Sequence, residues 1–135
     1  FKQKSAYDIM PSLVGSEMCI RDRVIQEQVS KATSALQTIS NLTIAYEPVW
    51  AIGTGKAATI DIIEETLGTL RSFLTSEWGD AGAKAPLMYG GSVNESNATI
   101  FGESEYISGL LVGGASLDAT AFVSLTRQFA AAKSS

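Results

Sequence analysis

The chain has 135 residues, 45 % hydrophobic and 18 % charged, the size of one ordinary domain with ample material for a core, which excludes a disordered polypeptide. A formal charge of −4 argues against nucleic acid or an anionic membrane as partner, because both repel net negative charge. A single cysteine, Cys19, permits no internal disulfide and fits a reducing compartment; with no histidine in the chain, no Cys/His cluster of metal-ligand spacing exists. No apolar run approaches the roughly 20 residues of a membrane-spanning helix. No continuous apolar stretch follows the N-terminal lysines as a signal peptide requires, so the cytoplasm is the expected setting.

Residues 1–23 and 24–135 read as different material. The first segment carries four basic and three acidic residues with no sustained helical or strand period, and Pro11 and Gly15 interrupt it. The run Ser12-Leu13-Val14-Gly15-Ser16-Glu17-Met18-Cys19-Ile20-Arg21-Asp22-Arg23 reads like a translated sequencing adapter. The alternative is a divergent or disordered N-terminus, and neither reading assigns the segment a function.

From Val24 onward the pattern is regular. Ile25, Val29, Ala32 and Leu36 make the apolar stripe of a helix, and residues 42–46 read as a buried strand. A loop then runs to Thr59, placed to cap a helix whose stripe is Ile60, Ile63, Leu67, Leu70 and Leu74, ending before Gly79. A turn-rich stretch to Ala85 leads to the short strand Leu87-Met88-Tyr89, closed by Gly90-Gly91-Ser92. A short helix over about Ser96–Phe101 precedes a third strand, Ser108–Val112, and Gly113-Gly114-Ala115-Ser116 leads into a last helix bearing Phe122, Leu125 and Phe129. Helices alternating with strands predict right-handed crossovers and a parallel α/β sheet.

In such a sheet all post-strand loops share one rim, where ligands bind. Here those loops begin with Glu47, with Gly90-Gly91-Ser92 and with Gly113-Gly114. Glycine lets backbone N–H groups approach phosphate oxygens, and a helical segment after Gly113-Gly114 adds the partial positive charge of its N-terminus. Taken singly, a Gly-Gly is an ordinary turn, Ser92 a turn or cap residue, and Trp50 and Ile52 packing residues. Glu47 is less ordinary, since a charge ends a buried strand. Their order along the chain makes a shared site the better reading.

Three runs resemble the triosephosphate isomerase family in its order and spacing: Ala45-Tyr46-Glu47-Pro48-Val49-Trp50-Ala51-Ile52-Gly53-Thr54-Gly55, Tyr89-Gly90-Gly91-Ser92-Val93, and Leu111-Val112-Gly113-Gly114-Ala115-Ser116-Leu117. Residues 24–135 would then be the C-terminal part of a (β/α)8 TIM barrel, from its fifth helix onward. The resemblance implies an aldose-ketose isomerase of glycolysis and gluconeogenesis, interconverting dihydroxyacetone phosphate and glyceraldehyde 3-phosphate through an enediolate, without metal or organic cofactor. It implies that Glu47 is the base and that residues 48–57 (Pro48, Val49, Trp50, Ala51, Ile52, Gly53, Thr54, Gly55 and Lys56 among them) form a lid; this family is a standard example of such closure. Tyr89 and Ser92 would latch the lid. Gly53, Ser92, Gly113 and Gly114 would hold the phosphate through backbone N–H groups, and Ile52 and Leu111 would clamp Glu47, desolvation raising its basicity. A closed lid also keeps water from a phosphorylated enediolate, which otherwise expels phosphate.

Two elements of the family pattern have no counterpart here: an early lysine and a histidine at the end of the fourth strand. Lys56 matches the lid's own lysine and does not replace the first. A complete barrel has about 250 residues and eight strands; the match covers three strands, which leaves 42–46 and 108–112 as sheet edges open to another chain. The family is homodimeric through a loop outside the matching part. The chain is therefore expected to be a fragment, inactive alone. The alternative reading is a non-catalytic half-barrel that binds phosphate or a partner chain. Another phosphate-binding barrel is disfavoured, since a mere phosphate site does not require the Glu47 lid motif.

Overall fold

The computed structural model describes residues 16–135. In chain order it contains α1 (Ser16–Thr33), β1 (Ile44–Tyr46), a 3-10 turn (Val49–Ala51), α2 (Ile60–Lys84), β2 (Leu87–Gly90), α3 (Ala98–Glu103), β3 (Gly109–Leu111), a second 3-10 turn (Gly114–Leu117) and α4 (Ala119–Lys133). The strands form one sheet in the order β1-β2-β3, with both pairings parallel. This is the predicted alternation, with β1 and β3 as the two edges. The breaks expected at Pro11 and Gly15 lie outside the described residues.

Register explains what the sheet does. Tyr46 pairs with Tyr89 and Tyr89 with Leu110, while Ala45 pairs with Met88 and Met88 with Gly109. Side chains alternate along a strand, so the first row turns to one face and the second to the other. Tyr46, Leu87 and Tyr89 are buried against the helices; Ala45, on the opposite face, is exposed. That opposite face is bare at β1, and it is the face on which the next residues along the ladder emerge.

The core lies between sheet and helices. Ile63, Leu67, Leu70 and Leu74 of α2 repeat at four, three and four residues, which puts all of them on one helical face, and none exceeds 1 % exposure. Burial of each such side chain contributes about 1.5–3 kcal/mol. They meet Ile25, Val29, Ile39, Leu87, Phe101 and Ile107 in one cluster. The Tyr89 ring lies 4.9 Å from that of Phe101 and 6.3 Å from that of Tyr46, a tilted aromatic row running under the strand ends.

Several local expectations are corrected. The first stretch of α2 does end before Gly79, where the backbone is non-helical (φ 55°, ψ −133°), but a second short helical stretch follows to Lys84 instead of a turn-rich segment. Arg71 sustains this ending by donating to the carbonyls of Gly82 (2.9 Å), which also accepts from the Ala85 N–H, and of Ala85 (2.7 Å). Thr59 stands at the N-cap, but its exposed hydroxyl makes no capping bond; its backbone carbonyl accepts from Ile63 at 3.1 Å. Phe122 is 41 % exposed, leaving Leu125 as the buried anchor of α4. The strands and α3 keep their places with ends displaced by one or two residues.

The stripe of α1 also differs. The helix runs unbroken through Arg23-Val24, and its buried face is Arg21, Ile25, Val29 and Thr33 at a constant spacing of four. Ala32 is exposed, and Leu36, beyond the helix end, is 42 % exposed. The reason is that α2 lies on the side of the helix where residues four apart stack. Arg21 is thereby buried: its Nε donates to Asp22 Oδ1 at 2.9 Å, and its Nη2 lies 2.9 Å from the same oxygen and 3.7 Å from Glu65, neither η nitrogen in hydrogen-bonding geometry with any described residue. The guanidinium bears the desolvation cost while its carboxylate partners stay partly in water, so the pairing stabilises little. Arg21→Met is therefore expected to leave the urea unfolding midpoint unchanged or raise it; a lowered midpoint would show that the guanidinium holds α1 on α2.

Candidate active site

The site begins where the ladder continues past β1. Glu47 follows Tyr46 and so falls opposite Gly90, which pairs with Leu111. All three belong to the row of Ala45, Met88 and Gly109, so they meet on the bare face at the C-terminal ends of the strands. The contact is close: a Cβ on residue 90 would lie 2.5 Å from Glu47 Oε1 and 2.9 Å from its Cγ. Only glycine leaves room for that carboxylate. The sequence offered Gly90 as part of a phosphate-approaching turn; its packing role toward Glu47 appears only when the strands are paired.

A cleft of about 470 Å³ opens above this contact. Glu47, Ile52, Gly53, Gly55, Ser92, Leu111, Gly113 and Gly114 line it together with Gly91, Val93, Asn94, Val112 and Ala115. The carboxylate, lid tip and both glycine-rich turns read from the sequence thus face one space. Ile52 (52 % exposed) and Leu111 (38 % exposed) stand on its walls with a large share of their apolar surface still in water. Among the described residues neither Lys nor Arg lines it, so the donors facing an anion there are backbone N–H groups and the polar side chains of Ser92 and Asn94. The helical segment after Gly113 is only the 3-10 turn Gly114–Leu117; the longer α4 begins later, where Asp118 Oδ1 accepts from the Ala121 N–H at 2.8 Å.

The loop of residues 48–57 is fixed at both ends and exposed between them. Pro48 is fully buried and Ala51 has no exposed surface, whereas Ile52 through Lys56 are exposed. Pro48 starts a tight turn in which its carbonyl accepts from Ala51 N–H at 2.8 Å. Gly53 (φ 66°) and Gly55 (φ 75°) supply the left-handed backbone of the tip. At one end Ser92 Oγ donates to the Ala51 carbonyl at 2.6 Å. At the other the Ala58 N–H donates to the Tyr89 hydroxyl at 3.0 Å, which itself donates to the Gly91 carbonyl at 3.1 Å. Val49 is 54 % exposed, Trp50 is half-buried with its indole N–H lacking a partner among the described residues, and Thr54 Oγ1 accepts from the Lys56 N–H at 3.2 Å.

Ala58 and the asparagines near the Ser92 turn are the residues that sequence reading missed. Ala58 carries no side-chain signal, because it acts through its backbone. Burial pushes the Tyr89 phenol up, its bond from Ala58 pulling the other way. Burial likewise raises Tyr46, against the Thr66 hydroxyl and the Arg21 guanidinium.

The comparisons with known proteins can be set on this geometry. Residues 14–129 match the family model for triosephosphate isomerase. The chain belongs to the triosephosphate isomerase family. It is 48 % identical over 108 residues to the triosephosphate isomerase of Dehalococcoides mccartyi, covering 79 % of this chain and 42 % of that protein. It is 43 % identical over 95 residues to that of Saccharomyces cerevisiae, covering 70 % and 38 %. The crystal structure of triosephosphate isomerase from Bartonella henselae superposes with a TM-score of 0.70 at 36 % identity, over 81 % of this chain and 44 % of that one. The three parallel strands and their helices are thus part of a TIM barrel, and the chain spans about two fifths of the length of the curated relatives it matches. No helix among the described residues is long and apolar enough to cross a membrane.

Two outcomes test this geometry. Tyr89→Phe leaves the Ala58 N–H unpaired in a buried position and is expected to cost about 1–3 kcal/mol in urea unfolding, with hydrogen exchange accelerated at Ala58 and not on α2. Because both phenols are raised by burial, the folded state holds their protons more tightly than the unfolded one. Their contribution is complete below the unfolded value of about 10 and falls as pH rises through the folded values. The unfolding midpoint should therefore decline above about pH 10 in the wild type, and less steeply in Tyr89→Phe.

Proposed function

We propose that the cleft is the base-and-lid part of a triosephosphate isomerase active site, in which Glu47 moves a proton between adjacent carbons of a phosphorylated triose. The observation that carries this reading is the placement of Glu47 over Gly90, on the floor of a cleft walled by the lid tip and by the turns at Ser92 and Gly113-Gly114. A phosphate seated against the N–H groups of Gly53, Ser92, Gly113 and Gly114 puts the triose carbons toward the carboxylate. The proton then passes to Glu47 from one carbon and returns from it to the neighbour, an enediolate standing between the two transfers.

Lid closure supplies the rest. Movement of the tip would carry Ile52 toward Leu111 and cover Glu47 with apolar surface, which strengthens it as a base and keeps water from the enediolate. The Ser92 and Tyr89 bonds to the lid ends support hinging about fixed points, with residues 52–56 as the moving part. The cofactor-free chemistry, the cytoplasmic setting and the homodimer of the family belong to the same reading.

The chain of 135 residues contains no histidine to polarise the substrate carbonyl, and no cation among the described residues lines the cleft. Together with the open edges of β1 and β3, this favours a second reading for the polypeptide by itself: a half-barrel that binds phosphate, or a partner chain, without catalysis. Purified from a host lacking its own isomerase, the chain is expected to show no turnover while glycerol 3-phosphate raises its melting temperature. Turnover by the chain alone would overturn the fragment reading, and a melting temperature indifferent to the ligand would remove the phosphate site. In a chimera joining residues 24–135 to the preceding part of the D. mccartyi relative, Glu47→Gln should lower turnover roughly 10²–10⁴-fold and leave ligand binding intact. Normal turnover in that chimera would remove Glu47 as the base.

A further inference from the structure

Ser92 has a backbone that its side chain disfavours. Its φ of 51° is left-handed, alone among the non-glycine residues described. It follows Gly91, at φ 136°, where a Cβ would lie 2.9 Å from Ala51 Cβ and from the Tyr89 hydroxyl. The turn is therefore pressed against the lid base on one side, and something must hold it on the other.

Two asparagines do so. The Ser92 carbonyl accepts from Asn94 Nδ2 at 3.2 Å and from Asn97 Nδ2 at 3.0 Å. Each asparagine is oriented by its oxygen: Asn97 Oδ1 accepts from the Asn94 N–H at 2.9 Å, and Asn94 Oδ1 accepts from the Ser96 N–H at 2.9 Å and its hydroxyl at 2.6 Å. With the oxygens engaged by backbone donors, both NH2 groups are left to point at one carbonyl. Aspartate has the same reach and the same acceptor but no donor. Asn94 also stands on the wall of the cleft.

We propose that Asn94 and Asn97 are positioning residues that hold Ser92 in its left-handed conformation. In that conformation its backbone N–H serves a bound phosphate while its hydroxyl holds the Ala51 carbonyl of the lid. The phosphate part rests on the function proposed above; the conformational part does not. One short amide pair thus sets both an anion donor and a lid anchor.

The test is amide NMR of the full chain, wild type against Asn97→Asp and Asn97→Ala, with and without inorganic phosphate. Asn97→Asp keeps the acceptor for Asn94 and loses only the donor to Ser92. Asn97→Ala carries no charge, so weaker phosphate binding by it is not repulsion. The expected result is displacement of the Gly91 and Ser92 amide signals in both variants without phosphate, the signals of α2 staying in place, and phosphate affinity about tenfold weaker in each. Ser92 signals that stay at their wild-type positions in both variants would overturn the positioning role. Wild-type Ser92, Gly113 and Gly114 amides that ignore phosphate would overturn the anion reading instead, and the phosphate-free spectra would still decide the role of the asparagines.

Discussion

Glu47 lays its side chain over Gly90, and the cleft is arranged around that contact. Keeping a carboxylate oxygen 2.5 Å from where a Cβ would stand requires a residue without one at position 90 and a strand pairing that brings the two residues level. The parallel register of Tyr46 with Tyr89 meets the second requirement. The buried row formed by Tyr46, Tyr89 and Phe101 then keeps the strand ends at one height, so the carboxylate cannot slide along the sheet without disturbing the core.

Above this floor the loop of residues 48–57 is held through its backbone groups rather than by long side chains. Ser92 grips one end through the Ala51 carbonyl, and Tyr89 the other through the Ala58 N–H. Both bonds spring from the end of β2 and the turn after it, so one short segment packs against Glu47, anchors the loop after Pro48 and faces the cleft. Such economy explains why the turn tolerates a non-glycine residue in left-handed backbone: two amides on its carbonyl compensate the local strain.

Much of this was legible along the chain. The 4-3-4 spacing in α2, the apolar bursts of the strands and the glycine pairs after them follow from rules with a short reach: side-chain periodicity and the freedom of glycine. The same rules erred where a neighbour decided the outcome. The α1 stripe turned toward α2 and took in Arg21 instead of Ala32; helix rather than turn follows the break at Gly79, where Arg71 caps the next turn; Thr59 was at the cap position without making the cap bond. Ala58, Asn94 and Asn97 gave no signal of their own, because a backbone donor and a turn asparagine look alike wherever they occur.

By itself the sequence determined the order of elements, the parallel sheet, the family and the set of residues that could meet at one rim, since each depends on local pattern or on short specific runs. The tertiary structure decided which of them touch. Glu47 lies on Gly90 rather than free at the rim, Tyr89 reaches Ala58 across 31 positions, and Ser92 reaches Ala51 across 41. These contacts depend on strand register, and register is a property of paired strands that no single segment carries.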